Sequence, residues 1–237
     1  MARAFYIRHA QASYLAEDYD QLSDLGYQQS KILGEYLIEK EILFDRIYVG
    51  PLKRHHQTFE KVLQVYDREG VTLPEPEYMD ELVEHQGPET LRVLKEQLVK
   101  KYPHLAQFAR NSNSDVKKNE LRIFTYFMEK WATDALGIDH PPHLQKWSEF
   151  KSIVHSGIQK ITGPENKGKN VACFTSGGTI SATIGYALGM NDDAKMIGIN
   201  GIIRNTSINE FLFSDEQMSL LTMNRTPHLS NELTTFV

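Results

Sequence analysis

The sequence predicts an α/β fold, a three-layer α/β/α sandwich built on a mostly parallel sheet. Short apolar runs of strand length alternate with amphipathic helical stretches along most of the 237 residues, and this alternation is typical of parallel strands joined by helices. The segments 207–213 and 218–223 instead alternate as the two strands of an antiparallel hairpin do. We therefore expect a single domain over residues 1–237, with one antiparallel hairpin closing a parallel sheet.

The first half of the chain supplies two strand–helix units. Ala4–Ile7 is a continuous apolar run, which is typical of a strand covered on both faces. A polar loop over residues 11–21 follows, and Ser23 is a suitable N-cap for a helix over residues 24–40. The second unit begins with a strand at Arg46–Val49. Its helix has one apolar face, formed by Phe59, Val62, Leu63 and Tyr66.

Residues 86–145 differ from the rest and are interpreted as a helical insertion or cap within the domain. Two helical stretches, 89–109 and 115–135, flank a polar loop at residues 111–114. Their aromatic side chains are expected to form helix core: Phe124, Tyr126, Phe127 and Trp131. The next predicted elements are a helix over residues 147–161, a strand over residues 171–175 and a helix that opens at Ser176-Gly177-Gly178.

Composition and charge exclude several classes of protein. Hydrophobic residues make up 41% of the chain and charged residues 24%, which are ordinary values for a globular protein. The net charge of −5 argues against a nucleic-acid or membrane-surface partner. No apolar run approaches the ~18 residues of a membrane span. The single cysteine, Cys173, rules out an internal disulfide and fits a reducing compartment, so we expect a cytoplasmic protein.

Polar groups that suit phosphate chemistry follow four of the predicted strands. They are Arg8-His9-Ala10, residues 51–58 with Arg54, the acidic stretch 80–85, and Thr175–Thr179 with its paired glycines. Arginine presents a planar fork of donors that matches phosphate, and a neutral imidazole nitrogen is a competent nucleophile. A carboxyl group can act as a general acid, and glycines at a helix N-terminus let the backbone approach an anion. Taken singly, Arg8-His9 is better explained as a solvated strand end and the acidic stretch as ordinary loop charge. Residues 51–58 alone also fit a solvated helix N-terminus.

Together, and in this order, the segments resemble the histidine phosphatase superfamily, the phosphoglycerate mutase-like group. The resemblance covers both ends of the chain and leaves out mainly residues 86–145. The motifs that carry it are Tyr6–Ala10, Leu22–Gln29 with Leu33–Leu37, Phe44–Tyr48, Pro51–Arg54 with Gln57-Thr58, Thr175–Ile180 and Asn205–Ile208. Several blocks in the correct order are far more specific than any one block, so the sequence is identified as a member of this superfamily.

The resemblance implies a role for each polar group. His9 would be the nucleophile that accepts the phosphoryl group, and Arg8 and Arg54 would bind its oxygens. Ser176 and Gly177 would complete the phosphate-binding site. The reaction would need no metal and no other cofactor, and the substrate would be a phosphorylated small molecule.

Two details of the chemistry follow. Glu84 matches the superfamily's proton donor best, because it stands in a Leu-x-Glu block followed by a glycine, and Glu81 is the alternative. His9 must be neutral at the attacking nitrogen, so a backbone carbonyl or a carboxylate should hold the proton on its other ring nitrogen.

The sequence departs from the superfamily pattern at Ser176. The superfamily usually places a second histidine immediately before the paired glycines, and a serine there brings a hydrogen bond but no positive charge. Loss of a charge-assisted contact in a desolvated site costs about 2–4 kcal/mol, or roughly a thirtyfold to thousandfold decrease in rate. Either another group compensates, with His85, His55 and His228 as candidates, or the protein is a weak or inactive relative. For each candidate the alternative is an ordinary loop or surface histidine.

Three functions are compatible with these residues. The leading hypothesis is a metal-independent phosphomonoesterase that acts through a phosphohistidine on His9. The second is phosphoglycerate mutase-type phosphoryl transfer, which is less favoured because residues 86–89 after Glu84 supply no basic rim. The third is a catalytically weak protein that binds a phosphorylated ligand, and Ser176 is its main support. The sequence identifies neither the substrate nor the oligomeric state.

Overall fold

The strands form one mixed sheet with its parallel pairs grouped together. The computed structural model describes residues 1–13, 20–110, 116–214 and 217–236. Its strands are β1 (Ala2–Arg8), β2 (Arg46–Val49), β3 (Glu77–Tyr78), β4 (Asn170–Thr175), β5 (Ile208–Ser214) and β6 (Gln217–Arg225). Within these described ranges they form a six-stranded sheet in the order β3-β2-β4-β1-β5-β6. The first four strands of that order pair in parallel, and β5 and β6 are antiparallel, as the sequence predicts.

Helices cover both faces of the sheet. They are α1 (Asp24–Glu39), α2 (Lys53–Arg68), α3 (Gly87–Lys101), α4 (Ala106–Arg110), α5 (Val116–Ala132), α6 (Trp147–Ile161), α7 (Gly177–Ala187) and α8 (Asp193–Asn200). Ser23 caps α1 as expected, since its side chain accepts a hydrogen bond from the N–H of Gly26. The predicted three-layer α/β/α sandwich is therefore confirmed. Across the described residues, no helix is long and apolar enough to cross a membrane.

Alternation along β1 divides the core into two layers. Phe5 and Ile7 belong to a cluster with side chains of α1 and α2, including Leu33 and Phe59. The residues that alternate with them, Ala4 and Tyr6, belong to a second cluster on the other side of the sheet. Burying one such large apolar side chain stabilises the fold by about 1.5–3 kcal/mol. Successive residues of β1 face opposite layers of the core. A one-residue shift in the register of β1 would therefore turn each of its side chains towards the wrong cluster.

The second cluster extends into segment 86–145. Its helical members come from α3, α5, α6 and α7: Leu94, Leu98, Phe127, Trp131, Trp147, Phe150 and Ile180. The expectation that the aromatic residues form helix core is confirmed for Phe127 and Trp131, which are buried. Phe124 and Tyr126 are partly buried and pack against the same cluster.

Two details of the helical prediction are wrong. The stretch 89–109 is not one helix, because α3 ends at Lys101 and α4 begins at Ala106. The break falls at Tyr102, whose backbone is not helical (φ −118°, ψ 83°), and a residue before proline is disfavoured in the helical region. The short helix α8 is not predicted at all. The polar loop at residues 111–114 lies outside the described residues.

Parallel pairing brings the polar segments to one edge of the sheet. Arg8 lies opposite Thr175, so the residues that follow β1 and β4 are neighbours. The backbone N–H of His9 donates to the Thr175 carbonyl (2.8 Å), and that of Gly50 donates to the Phe174 carbonyl (2.9 Å). The carboxyl ends of β1, β2 and β4 therefore meet where ligands bind in open α/β sheets.

Two helical glycines provide a test of this packing. A side chain at Gly26 would overlap the backbone carbonyl of Gln11, in the loop after β1, whereas one at Gly198 would meet no atom within 4 Å. We expect Gly26→Ala to lower the free energy of unfolding by about 1–3 kcal/mol through overpacking. The matched Gly198→Ala should raise it by about 0.5–1 kcal/mol through helix propensity. Urea unfolding measures both, and equal effects of the two changes would contradict the packing described.

Candidate active site

The backbone of His9 is held from two sides. Its N–H donates to Thr175, and its carbonyl accepts hydrogen bonds from Asn205 Nδ2 (3.1 Å) and from the N–H of Thr206 (3.3 Å). Thr58 on α2 holds the next residue, since its Oγ1 accepts from the N–H of Ala10 (3.0 Å). Groups from β4, α2 and the segment before β5 therefore fix the turn that carries His9.

The ring of His9 is neutral, with Nε2 as the unprotonated nitrogen. Nδ1 lies 2.7 Å from the Ala10 carbonyl oxygen, which accepts only, so Nδ1 carries the proton. Nε2 accepts a hydrogen bond from Arg54 Nε (3.1 Å). Burial, and then the charges of Arg54 and Arg8, hold the pKa of His9 well below its ordinary value. The expectation that a carbonyl or carboxylate holds the second ring nitrogen is confirmed, and the carbonyl belongs to Ala10.

Two guanidinium groups flank this region. Arg54 lies in the first turn of α2, is buried, and pairs through Nη1 with Asp20 Oδ1 (2.6 Å). Arg8 donates through Nη1 to the carbonyls of Ile203 and Phe236, the latter at 2.7 Å. Both guanidinium groups thus have hydrogen-bond partners within the chain, and that of Arg54 is a carboxylate.

The turn from β4 into α7 has room for only small residues. Ser176 is the N-cap position of α7 and is fully buried. A Cβ at Gly177 would lie 2.7 Å from Asn200 Oδ1 and 3.5 Å from Arg8 Nε. A Cβ at Gly178 would overlap the carboxylate of Glu84. The paired glycines therefore let Arg8 and Glu84 pack directly against the start of α7.

His55 occupies the space beside Ser176. Its Nε2 lies 2.6 Å from Ser176 Oγ, and both residues are fully buried. Its ring centroid is 5.7 Å from that of His9. Burial, and then the charge of Arg54, lower the pKa of His55 well below its ordinary value, so this ring is also neutral. Of the three candidates to compensate for Ser176, His55 is the one in hydrogen-bond contact with it.

Glu84 and Glu81 point to different elements. Glu84 Oε1 accepts from the N–H groups of Gly178 (3.1 Å) and His85 (2.9 Å), so its carboxylate lies against the first turn of α7. Glu81 forms an ion pair with Lys160 on α6. Only Glu84 of the two is in contact with the turn that carries Ser176.

The other two candidate histidines have different partners. His85 lies beside Gly178, packs edge-on against Trp131 and Trp147, and has its Nε2 2.9 Å from Asn200 Nδ2. His228 has its Nε2 3.0 Å from Thr206 Oγ1. Both lie close to the candidate site, but among the described contacts neither side chain reaches Ser176.

Several positioning residues were not predicted from the sequence. Asp20, Thr58, Asn200 and Asn205 contact Arg54, the His9 turn or Gly177, and no role was assigned to any of them. Thr58 and Asn205 lie in motifs that carry the family resemblance, which is the signal that could have pointed to them. Thr206, in the same motif as Asn205, has a left-handed backbone (φ 54°) while its N–H contacts the Arg8 and His9 carbonyls. Such strain in a non-glycine residue is typical of a functional turn.

The fold and the arginine–histidine pair together define a phosphoglycerate mutase-like α/β protein. The family model of the histidine phosphatase superfamily (branch 1) matches residues 5–125 and 117–226. The chain belongs to the histidine phosphatase superfamily. Membership of this superfamily supports a phosphatase or phosphoryl-transfer activity.

Solved structures share this fold. A mutant phosphoserine phosphatase from Entamoeba histolytica, in complex with phosphoserine, is 19% identical with a TM-score of 0.65, over 97% of this chain and 100% of that one. A mycobacterial glucosyl-3-phosphoglycerate phosphatase with inorganic phosphate is 18% identical (TM-score 0.63), over 97% and 100% of the two chains. The alpha-ribazole phosphatase of Shigella flexneri is 18% identical (TM-score 0.59), over 94% and 96%. At these identities the likeness is one of fold. Comparison with curated proteins finds no match.

Acid is expected to destabilise the protein partly through His228. Burial lowers its pKa to about 4 in the folded state, below the ~6.5 of an unfolded histidine. The unfolded chain therefore binds the proton more tightly, and the stabilisation is present above pH ~6.5 and is lost as the pH falls towards the folded value. The full loss is on the order of 3 kcal/mol, measurable by urea unfolding at roughly pH 7.5 and 4.5.

The control for this prediction is a second histidine. His228→Gln should flatten the dependence of unfolding free energy on pH, whereas the same change at the exposed His143 should leave it as in the wild type. If His228→Gln showed the wild-type dependence, the buried imidazole would not be its source.

Proposed function

We propose that the protein is a metal-independent phosphomonoesterase that acts through a phosphohistidine on His9. The observation that carries this proposal is the pair of hydrogen bonds at the ring, from Nδ1 to the Ala10 carbonyl and from Arg54 Nε to Nε2. Nε2 is unprotonated and within 3.1 Å of the Arg54 guanidinium, and the His9 turn is fixed by β4 and the segment before β5. A neutral, pre-oriented imidazole beside two arginines suits attack on a phosphoryl group whose oxygens need positive charge.

The first step transfers the phosphoryl group to the protein. His9 Nε2 attacks phosphorus, the P–O ester bond breaks, and the leaving oxygen takes a proton from the carboxyl group of Glu84. Arg8 and Arg54 bind the equatorial oxygens. In the second step the Glu84 carboxylate takes a proton from water, whose oxygen attacks phosphorus. The N–P bond breaks, inorganic phosphate leaves, and His9 and Glu84 return to their starting states.

Glu84 is proposed as the proton donor in preference to Glu81. Its carboxylate contacts Gly178 at the start of α7, two residues after Ser176, whereas Glu81 forms the ion pair with Lys160. Ser176 and Gly177 are proposed to line the phosphate site, since a Cβ at Gly177 would lie 3.5 Å from Arg8 Nε.

The substrate is proposed to be a phosphorylated small molecule in the cytoplasm. Proteins of the same fold were solved with phosphoserine and with inorganic phosphate, which supports that chemical class. The one cysteine, Cys173, is buried in β4 as a free thiol, which suits a reducing compartment. We further propose that residues 86–145 form a cap within a single domain, since their helices share the core of α6 and α7.

Removal of the nucleophile provides the primary test. Wild-type protein, without added metal, should hydrolyse an aryl phosphate, and His9→Ala should lower kcat by about a thousandfold or more. The exposed His104→Ala is the control and should leave kcat unchanged. Absence of turnover in the wild type, with inorganic phosphate still bound by calorimetry, would instead favour the ligand-binding protein.

The two glutamates form a matched pair for the second test. Glu84→Gln keeps an oxygen acceptor for Gly178 but cannot give up a proton, so hydrolysis of an alkyl phosphate should fall about 10²–10⁴-fold. An aryl phosphate, whose leaving group needs no proton, should be affected far less. Glu81→Gln loses only its exposed ion pair and should keep wild-type rates with both substrates. The opposite ranking of the two variants would assign the proton donor to Glu81.

A further inference from the structure

We propose that His55 and Ser176 act as one unit that binds an oxygen of the transferred phosphoryl group, with the imidazole acting through the serine hydroxyl. The inference rests on the proposed function, and it explains how the site would work without a histidine at position 176. The imidazole comes from the first turns of α2 and not from the end of β4. Ser176 would be the catalytic residue of the unit, and His55 its positioning residue.

Geometry is the first argument for the unit. His55 Nε2 and Ser176 Oγ are 2.6 Å apart, although the residues are 121 positions apart in sequence. The turn that carries Ser176 is joined to the His9 turn by the hydrogen bond from His9 N–H to the Thr175 carbonyl. The His55 ring is in turn 5.7 Å from the His9 ring. The hydroxyl is thus bonded to a second imidazole, and it belongs to a turn that is hydrogen-bonded to the turn of the candidate nucleophile.

The surroundings of His55 are the second argument. Its ring is fully buried, with Arg54 and His56 on its own helix and His9 from β1 as the titratable groups around it. The backbone packs so closely that a side chain at Gly50 would overlap Nδ1. A polar ring in such a position costs stability unless its nitrogens are hydrogen-bonded. The Ser176 hydroxyl supplies that bond at Nε2, which ties the buried ring to the candidate site.

The proton positions define what the unit does. A neutral His55 with its proton on Nδ1 accepts at Nε2 a hydrogen bond from the Ser176 hydroxyl, which leaves that hydroxyl unable to donate elsewhere. With a proton on Nε2, the ring donates to Ser176 Oγ, and the hydroxyl is free to donate to a phosphoryl oxygen. An arriving phosphate dianion favours the second arrangement, because it supplies an acceptor for the hydroxyl. Binding therefore adds one proton to Nε2, taken from solvent or from the phosphate monoanion, while Nδ1 keeps its own. The resulting imidazolium polarises the hydroxyl, which donates to the phosphoryl oxygen.

A double-mutant cycle tests whether the two residues act as one. Ser176→Ala and His55→Ala should each lower kcat by about 10–1000-fold with little change in KM, the pattern of an interaction made in the transition state. The double variant should be about as slow as either single variant. His56→Ala is the matched control, since its ring stacks on Tyr78 and not on the site. Multiplying effects in the double variant, or unchanged kcat in the singles, would overturn the proposal.

An exchange of the two residues separates this role from packing. His55→Ser combined with Ser176→His keeps one imidazole and one hydroxyl in the same space, and it should bring kcat to within about tenfold of the wild type. Ser176→His alone should stay slow, because the new ring would compete with His55 for that space. A folded exchange variant as slow as Ser176→Ala would overturn the proposal.

Spectroscopy on the wild-type protein covers the case in which the variants fail to fold. Titration of ¹⁵N-histidine-labelled protein with inorganic phosphate should move the His55 Nε2 resonance towards the protonated position. An unchanged Nε2 resonance at saturating phosphate would overturn the unit, whether or not the protein turns over. An inactive wild type with a moving resonance would overturn the proposed phosphatase while leaving the unit in place.

Discussion

β1 and β4 pair in parallel from Arg3 opposite Asn170 to Arg8 opposite Thr175, and the placement of the candidate site depends on that pairing. The last rung is extended by the bond from His9 N–H to the Thr175 carbonyl, so the next residues of the two chains start side by side. Alternate residues of β1 belong to opposite core clusters, which fixes the register through many buried side chains. The packing of the core therefore fixes the relative positions of the site residues that follow β1 and β4.

The electrostatics of the site follow from burial. Two guanidinium groups stand near two imidazoles whose pKa values are lowered by burial and by the charge of Arg54, and at His9 also by that of Arg8. Asp20 balances the charge of Arg54, and the Phe236 carbonyl accepts a hydrogen bond from Arg8. A phosphoryl group would bring its own negative charge to the same arginines, so it can replace these internal partners at little electrostatic cost. In the proposed mechanism the two kinds of group have different roles, since the arginines would bind oxygens and the imidazoles would attack or move protons.

Part of the fold and of the candidate site was predictable from the sequence, because it depends on residues that are neighbours in the chain. The strand ends, the Ser23 cap and the Arg8–His9 pair are each specified by neighbours in the chain, and the structure places them as expected. The partners of those groups were not predictable, because Asp20, Thr58 and Asn205 reach the site only through tertiary packing. The sequence narrowed the search for a partner of Ser176 to three histidines. Choosing His55 among them required the structure, since that contact spans two elements far apart in the chain.

Positions 55 and 176 are physically coupled, whatever reaction the site performs. With Nε2 and Oγ 2.6 Å apart in a fully buried space, the region between α2 and the β4 turn holds one imidazole and one small side chain. Two imidazoles there would overlap, and two small side chains would leave a cavity, each of which is destabilising. An imidazole can thus enter this part of the site from the helix or from the strand end, but not from both. Ser176 is therefore better understood as half of a rearranged pair than as the loss of a histidine.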